Sequence, residues 1–124
     1  MHTEFPNMPL PESEISVQMP PIFAEQLLRQ HEYLEEGFSL AVRRAGQGQD
    51  LVLERRLLTQ SRVLRGLLEH PAAAKAVTEA CDAARRAMDC VSPEAPLHSL
   101  ALAREALARH VRRQAMRLPR RQAA

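Results

Sequence analysis

Aromatic side chains are scarce in this chain of 124 residues, which has no Trp, one Tyr and three Phe. The core must therefore be built from Leu, Val and Ala, and alanine-faced helices bury little area each, at about 25 cal/mol per Å². A chain of this length buries somewhat over ~60% of its unfolded surface, which is enough for one modest core. We expect a single domain, and we expect a homodimer to supply the burial that one copy lacks.

Cysteine is also rare, since only Cys81 and Cys90 are present and both fall in one predicted helix. Nine residues of helix place them about 180° apart and about 13.5 Å apart along the axis, so they cannot form a disulfide with each other. Cys81 shares a face with Met88 and is predicted to be a core residue. Cys90 lies on the opposite face and is predicted to be the more exposed, and so the more reactive, thiol.

Targeting and membrane-spanning segments are not found either. The first residues lack the basic and apolar regions of a secretory signal, and no stretch approaches the ~20 apolar residues that cross a bilayer. We therefore expect a cytoplasmic, reduced protein with no membrane contact.

The sequence carries no motif for catalysis or metal binding. It has no close pair of ligands such as C-x-x-C or H-E-x-x-H, no G-x-S-x-G and no glycine-rich phosphate loop. The histidines are scattered one to a segment, so the sequence predicts a non-enzymatic protein with no catalytic residues, no cofactor and no metal. They are His2, His31, His70, His98 and His110.

The N-terminal residues 1–20 are rich in proline and yet carry many apolar side chains. Disordered tails are usually poor in such side chains. From Glu14 to Met19 apolar and polar residues alternate, which is the period of an extended strand with one apolar face. We predict an extended arm whose Ile15, Val17 and Met19 lie on a surface. That surface belongs to the same chain, to a second copy or to another protein.

Residues 21–118 are predicted to form an all-α, four-helix bundle-like domain, followed by a short basic tail at 119–124. The first helix runs from about Pro21 to Ala45, the second from its cap at Asp50 to His70, the third from Pro71 to Val91, and the fourth from a cap at Ser92 to Leu118. Short joints predict antiparallel neighbours. The predicted buried stripes include Phe23, Leu27, Leu34 and Phe38 in the first helix, Leu53, Leu57 and Leu64 in the second, Val77, Ala80, Ala84, Met88 and Val91 in the third, and Leu100, Leu107 and Val111 in the fourth.

Charge is nearly balanced, at +2, but unevenly distributed. Residues 1–36 contain seven Glu against Arg29 alone, whereas the chain from Ala101 onward contains seven Arg against Glu105 alone. The two ends can attract each other or a charged partner. Four arginines form a ridge on the fourth helix that is interpreted as a solvated face or a contact for an acidic protein, with nucleic acid less favoured because the chain is nearly neutral. They are Arg109, Arg112, Arg113 and Arg117.

An arm followed by four short helices rich in Ala and Arg, over residues 13–118, resembles the small all-α antiactivators of quorum sensing. The resemblance implies a dimeric regulatory protein that binds the ligand-binding domain of a LuxR-type transcriptional regulator, occupies that receptor's dimerisation surface and keeps it off DNA. The apolar strip that this role requires would come from the arm and the start of the first helix. Its members are Ile15, Val17, Met19, Ile22, Phe23 and Leu27.

Two other functions remain open from the sequence. The first is a type III secretion or flagellar export chaperone, which would hold an amphipathic helix of its client against a helical hairpin. The second is a small DNA-binding regulator that uses the arginine ridge from Arg109 to Arg117.

Overall fold

A computed structural model describes residues 22–121, which form four α-helices. They are α1 (Ala24–Arg43), α2 (Leu51–Leu67), α3 (Pro71–Asp89) and α4 (Glu94–Arg117). The predicted all-α bundle is confirmed for this part of the chain, in which no strand occurs. The predicted arm at residues 1–20 lies outside the described residues, as do the last three residues of the basic tail.

The helices form a bundle in which α1 and α3 each contact all three other helices. Within residues 22–121, the backbones of α2 and α4 do not approach each other closely, so these helices lie at opposite corners, although the Gln114 side chain of α4 reaches the last residue of α2. The core is aliphatic and alanine-rich, as the composition predicts, with Phe38 as its one buried aromatic side chain among the described residues. None of these four helices combines the length and the apolar character needed to cross a bilayer.

The loop between α1 and α2 closes the C-terminal end of α3. The backbone N–H of Gly46 donates to the Ala87 carbonyl at 2.9 Å, and that of Gly48 donates to the Met88 carbonyl at 2.8 Å. Both glycines have positive φ, 78° and 101°, a conformation that side chains disfavour. The loop thus satisfies carbonyls that the end of a helix leaves without partners.

The opposite end of the bundle joins the two ends of the described chain. The Ala24 N–H, in the first turn of α1, donates to the carbonyl of Pro119 at 2.9 Å. The Arg121 N–H donates to Glu25 Oε1 at 3.0 Å, and the Arg121 guanidinium lies 5.1 Å from the centre of the Phe23 ring. The start of α1 and the basic segment after α4 are therefore held together by hydrogen bonds and a cation–π contact.

Two predicted features of the junction between α3 and α4 are wrong. Val91 was expected on the buried face of α3, but that helix ends at Asp89 and the Val91 side chain is 93% exposed. Ser92 was expected to cap α4, but Pro93 is the residue that precedes the first turn. The chain turns away earlier because Cys90 already has an extended backbone conformation.

The ends of α1 and α2 also differ from the predicted ones. The first helix begins at Ala24 rather than near Pro21, and the N–H of Phe23 before it donates to Gln26 Oε1 at 2.7 Å. The second helix ends at Leu67 because His70 caps α3, its Nδ1 accepting from the Ala72 N–H at 3.0 Å. The predicted cap of α2 is confirmed, since Asp50 Oδ1 accepts from the Leu53 N–H at 3.0 Å.

Candidate functional site: the groove between α2 and α3

An open groove of about 420 Å³ runs between α2 and α3. Its surface is mainly apolar. Charged side chains stand along its rim, two on each helix. The groove residues are Leu51, Glu54, Arg55, Leu57 and Leu58 on α2, and Cys81, Asp82 and Arg85 on α3.

The groove exists because α2 carries apolar residues on more than one face. Leu53, Leu57 and Leu64 form the buried stripe of this helix. Leu51 and Leu58 are seven residues apart, so they share a second face, and they are 64% and 48% exposed. The backbone of α4 does not come close to α2, and this second face stays largely exposed in the described chain.

Cys81 forms part of the floor and is partly buried against the core. Burial raises the pKa of its thiol to about 11, although a hydrogen bond with the Ser61 side chain opposes this. The thiol is therefore protonated at neutral pH and is a poor nucleophile, because the thiolate is the reactive form. Cys81 serves as an apolar surface, in line with the sequence-based prediction.

The rim of the groove carries two acidic and two basic side chains. On α3, Asp82 accepts from Arg85 at 2.8 Å and from Arg86 at 3.0 Å, and these contacts, chiefly that with Arg86, lower the pKa of the Asp82 carboxyl. On α2, Arg55 is exposed beside Leu51 and Leu58. An apolar floor with charges of both signs at its edge suits a partner segment with one apolar face and polar flanks.

No family model, curated protein or solved structure matches this chain. Its function is therefore inferred from its own residues.

The three predicted partner-binding residues that the structure describes lie in two different environments. Ile22 and Phe23 are half-buried at the start of α1. Leu27 is fully buried in the core of its own chain, so its side chain is not exposed to a partner in this fold. The stripe of α1 explains this, since Leu27 shares the buried face with Leu34. The other three members, Ile15, Val17 and Met19, lie outside the described residues.

The predicted arginine ridge does lie on one exposed face of α4. Two of its members have acidic neighbours in the same chain, since Arg117 pairs with Glu69 at 3.0 Å and Arg109 lies 4.0 Å from Glu105. Exposed pairs of this kind contribute little to stability. The other two members, Arg112 and Arg113, complete the ridge.

Apart from Cys81, the cysteines and histidines of residues 22–121 lie outside the groove. Residues 22–121 contain no group of three or more His, Cys, Asp or Glu side chains that could hold a metal ion. Cys90 is only half-buried and its thiol donates to the Ser92 carbonyl at 3.2 Å. The rings of His70 and His110 lie 5.4 Å apart at the junction before α3.

Sequence reasoning missed the groove, although a signal for it was present. The assignment of α2 to a single buried stripe left Leu51 and Leu58 unexplained on the polar side of the helix. Their seven-residue spacing indicates a second apolar face. The contribution of Cys81 from α3 could not be foreseen, because it depends on how the two helices are rotated against each other.

Proposed function

We propose that this chain is a non-enzymatic regulatory protein that acts by binding an amphipathic helix of a partner protein in the groove between α2 and α3. The observation that carries the proposal is the exposed apolar face of α2, formed by Leu51 and Leu58 over a floor of Leu57 and Cys81. Helices bind such grooves through apolar residues spaced three, four and seven positions apart. The proposal moves the predicted contact from Leu27 to this groove.

Binding a partner would be favourable because it would remove the side chains of Leu51 and Leu58 from water. Full burial of one Leu side chain is worth about 1.5–3 kcal/mol relative to exposure. Leu51 and Leu58 are about half to two-thirds exposed, so a partner that covered both would recover a large part of that free energy. The rim charges would then select the partner and its orientation rather than supply most of the affinity.

The partner class that we propose is the ligand-binding domain of a LuxR-type transcriptional regulator. The resemblance to small all-α antiactivators suggests it, and the groove meets its physical requirement. A protein that replaces one subunit of a receptor dimer must offer an apolar surface to the helix that the other subunit would cover. Binding there would keep the receptor monomeric and off DNA, in the cytoplasm where such receptors act.

An export chaperone is a second candidate, because the groove lies between the two helices of an α2–α3 hairpin. Such a chaperone would hold an amphipathic helix of its client on the same surface. The two candidates therefore share the site and differ in the partner. Only an antiactivator would convert a receptor dimer into a mixed complex and release it from DNA.

The proposed function is tested by Leu58→Asp with Val63→Asp as its matched control. Both are exposed apolar residues of α2, at 48% and 45%, but only Leu58 lines the groove. The wild-type chain and Val63→Asp should form a complex with a purified LuxR-type ligand-binding domain on size-exclusion chromatography and should reduce DNA binding by the intact receptor. Leu58→Asp should weaken both effects at least tenfold.

Equal effects of the two variants would refute the groove as the binding site. A wild-type chain that binds a helical export client but leaves the receptor dimer and its DNA binding unchanged would favour the chaperone.

A further inference from the structure

We infer that the groove between α2 and α3 is filled, in the free protein, by the N-terminal arm of a second copy of this chain. The segment that enters is residues 14–19, where Ile15, Val17 and Met19 alternate with polar residues. Two copies that exchange arms form a closed, symmetric dimer. The inference rests on the proposed function only in giving the groove a binding role, and it adds an occupant that a partner helix must displace.

The spacing of the apolar residues in the arm matches the length of the groove. In an extended strand, residues four apart such as Ile15 and Met19 are separated by about 13 Å. Leu51 and Leu58 on the edge of the groove are separated by about 10.5 Å along α2. Three apolar side chains on one face of a strand would therefore cover the apolar edge and the Cys81 floor together.

Charge also favours the arm as the occupant. Residues 1–21 contain Glu4, Glu12 and Glu14 and no Lys or Arg. The α2 side of the groove carries the exposed Arg55 beside Glu54, whereas the α3 side carries Asp82, which is already paired with Arg85. An acidic residue of the arm is therefore attracted to Arg55 and repelled by Glu54 and Asp82, which restricts where the segment enters the groove.

The position of the start of α1, to which the arm is joined, shows whether the arm can reach the groove of its own chain. The first turn of α1 lies at the end of the bundle where Gln26 lines a cavity with Leu67, the last residue of α2. The centre of the groove, at Glu54, lies thirteen residues before Leu67, which is about 20 Å along α2. No residue of α1 lines this groove.

The part of the alternating segment from Val17 to Met19 is too close to α1 to reach the centre of the groove of its own chain. The five residues from Val17 to Ile22 span at most about 18 Å when fully extended, and the three from Met19 span about 11 Å. Val17 therefore cannot lie at the centre of its own groove, and Met19 cannot approach it. The arm of a second copy has no such limit, because its attachment point belongs to another molecule.

Disulfide trapping in the full-length chain tests the contact and the copy that provides it. The variant Val17→Cys/Leu58→Cys is compared with Val17→Cys/Val63→Cys, both with Cys81→Ala and Cys90→Ser so that neither native thiol competes. Under mild oxidation, the first should give a covalent dimer on a non-reducing gel, in at least several-fold higher yield than the second, with positions 17 and 58 linked in the peptide map. A monomer with an internal disulfide would place the arm in the groove of its own chain. Equal dimer yields from the two variants would show that Val17 does not lie near Leu58. Either result overturns the inference.

Sedimentation velocity provides an independent test with charge-matched variants. Ile15→Asp/Val17→Asp places two charges on the apolar face of the segment, whereas Ser16→Asp/Gln18→Asp places two on its polar face. We expect the wild-type chain and the second variant to sediment as dimers, and the first variant as a monomer with an unchanged helical circular dichroism spectrum. A wild-type monomer, or a dimer that persists in Ile15→Asp/Val17→Asp, would overturn the inference.

The two proposals fail separately. If arm exchange is right and the proposed function is right, Ile15→Asp/Val17→Asp should bind the LuxR-type ligand-binding domain more tightly than the wild-type chain, because its groove is already open. If this variant is monomeric but binds no receptor domain, arm exchange stands and only the proposed function fails.

Discussion

The corners of the bundle occupied by α4 and α2 are built differently. The fourth helix is fixed by directed polar contacts, since the buried side chain of Gln114 donates to the Leu67 carbonyl at 2.8 Å and accepts from the Glu69 N–H at 3.0 Å. Arg104 on the same helix binds Glu35 of α1 at 2.7 Å and lies 5.8 Å from the centre of the Phe38 ring. The second helix instead leaves Leu51 and Leu58 exposed.

This difference separates stability from binding. A buried amide with both of its groups satisfied, and an arginine that pairs with a carboxylate beside an aromatic ring, each fix one arrangement of the helices. Exposed leucines on α2 add little to the stability of the single chain, but covering them with another apolar surface would be favourable. The buried faces of all four helices therefore hold the fold, whereas the outer face of α2 stays exposed.

The largest expected loss of stability comes from Phe38→Ala, which tests the difference between the core and the outer face of α2. Phe38 is fully buried and the variant should lose about 3–5 kcal/mol of unfolding free energy, because both transfer and cavity terms are lost. The apolar counterpart on α2 is Val52, which is 82% exposed, and Val52→Ala should change stability by no more than about 0.5 kcal/mol. Urea denaturation followed by circular dichroism measures both. A loss above 2 kcal/mol for Val52→Ala would show that the outer face of α2 also supports the fold.

A smaller effect is expected from Gln114→Leu. The change would leave the Leu67 carbonyl and the Glu69 N–H without partners inside the protein, at a cost of about 1–3 kcal/mol. The matched control is Gln60→Leu on α2, because Gln60 Oε1 is buried and has no hydrogen-bond partner among the described residues. Removing that amide should be neutral or stabilising by the same denaturation assay. Equal losses for the two variants would contradict the assignment of the polar contacts on α4 as structural.

Sequence periodicity predicted the buried stripes of the helices better than it predicted the groove on α2. The stripes through Leu34, Leu64 and Leu107 follow from three- and four-residue spacing, and each of these side chains is fully buried. The contact of Gln114 with the α2–α3 junction is invisible to such patterns, because it joins residues more than forty positions apart. The groove was missed for the same reason, since Leu58 and Cys81 meet only when α2 packs on α3.

A third comparison uses two glycines in helices. A Cβ at Gly66 of α2 would meet nothing within 4 Å, so Gly66→Ala should stabilise the protein by about 0.5–1 kcal/mol through helix propensity. A Cβ at Gly37 of α1 would lie 2.7 Å from Cδ2 of the buried Leu57. Overpacking there costs about 1–3 kcal/mol. Gly37→Ala should therefore not raise the free energy of unfolding, and it should lower it if Leu57 cannot move. Thermal unfolding distinguishes them, and a higher Tm for Gly37→Ala than for Gly66→Ala would contradict the close approach of α1 and α2.

The smallest expected effect is a fall in stability between pH 7 and pH 5.5. Burial lowers the pKa of His31, on the α1 side that faces α4, although nearby Glu35 opposes the shift. Burial and the neighbouring His70 lower the pKa of His110 on α4. The unfolded chain therefore takes up protons before the folded chain does, and the free energy of unfolding decreases as the pH falls through about 6.5.

This pH dependence should belong to the α4 side of the bundle, since both histidines lie there. His31→Gln/His110→Gln should flatten the slope of unfolding free energy over this pH range relative to the wild-type chain, as measured by urea denaturation at a series of pH values. Glu25 and Asp82, whose pKa values are lowered by the Arg121 N–H and chiefly by Arg86 respectively, lose their contribution only at more acidic pH. An unchanged slope in the double variant would show that the partly buried histidines do not control the acid sensitivity of this corner.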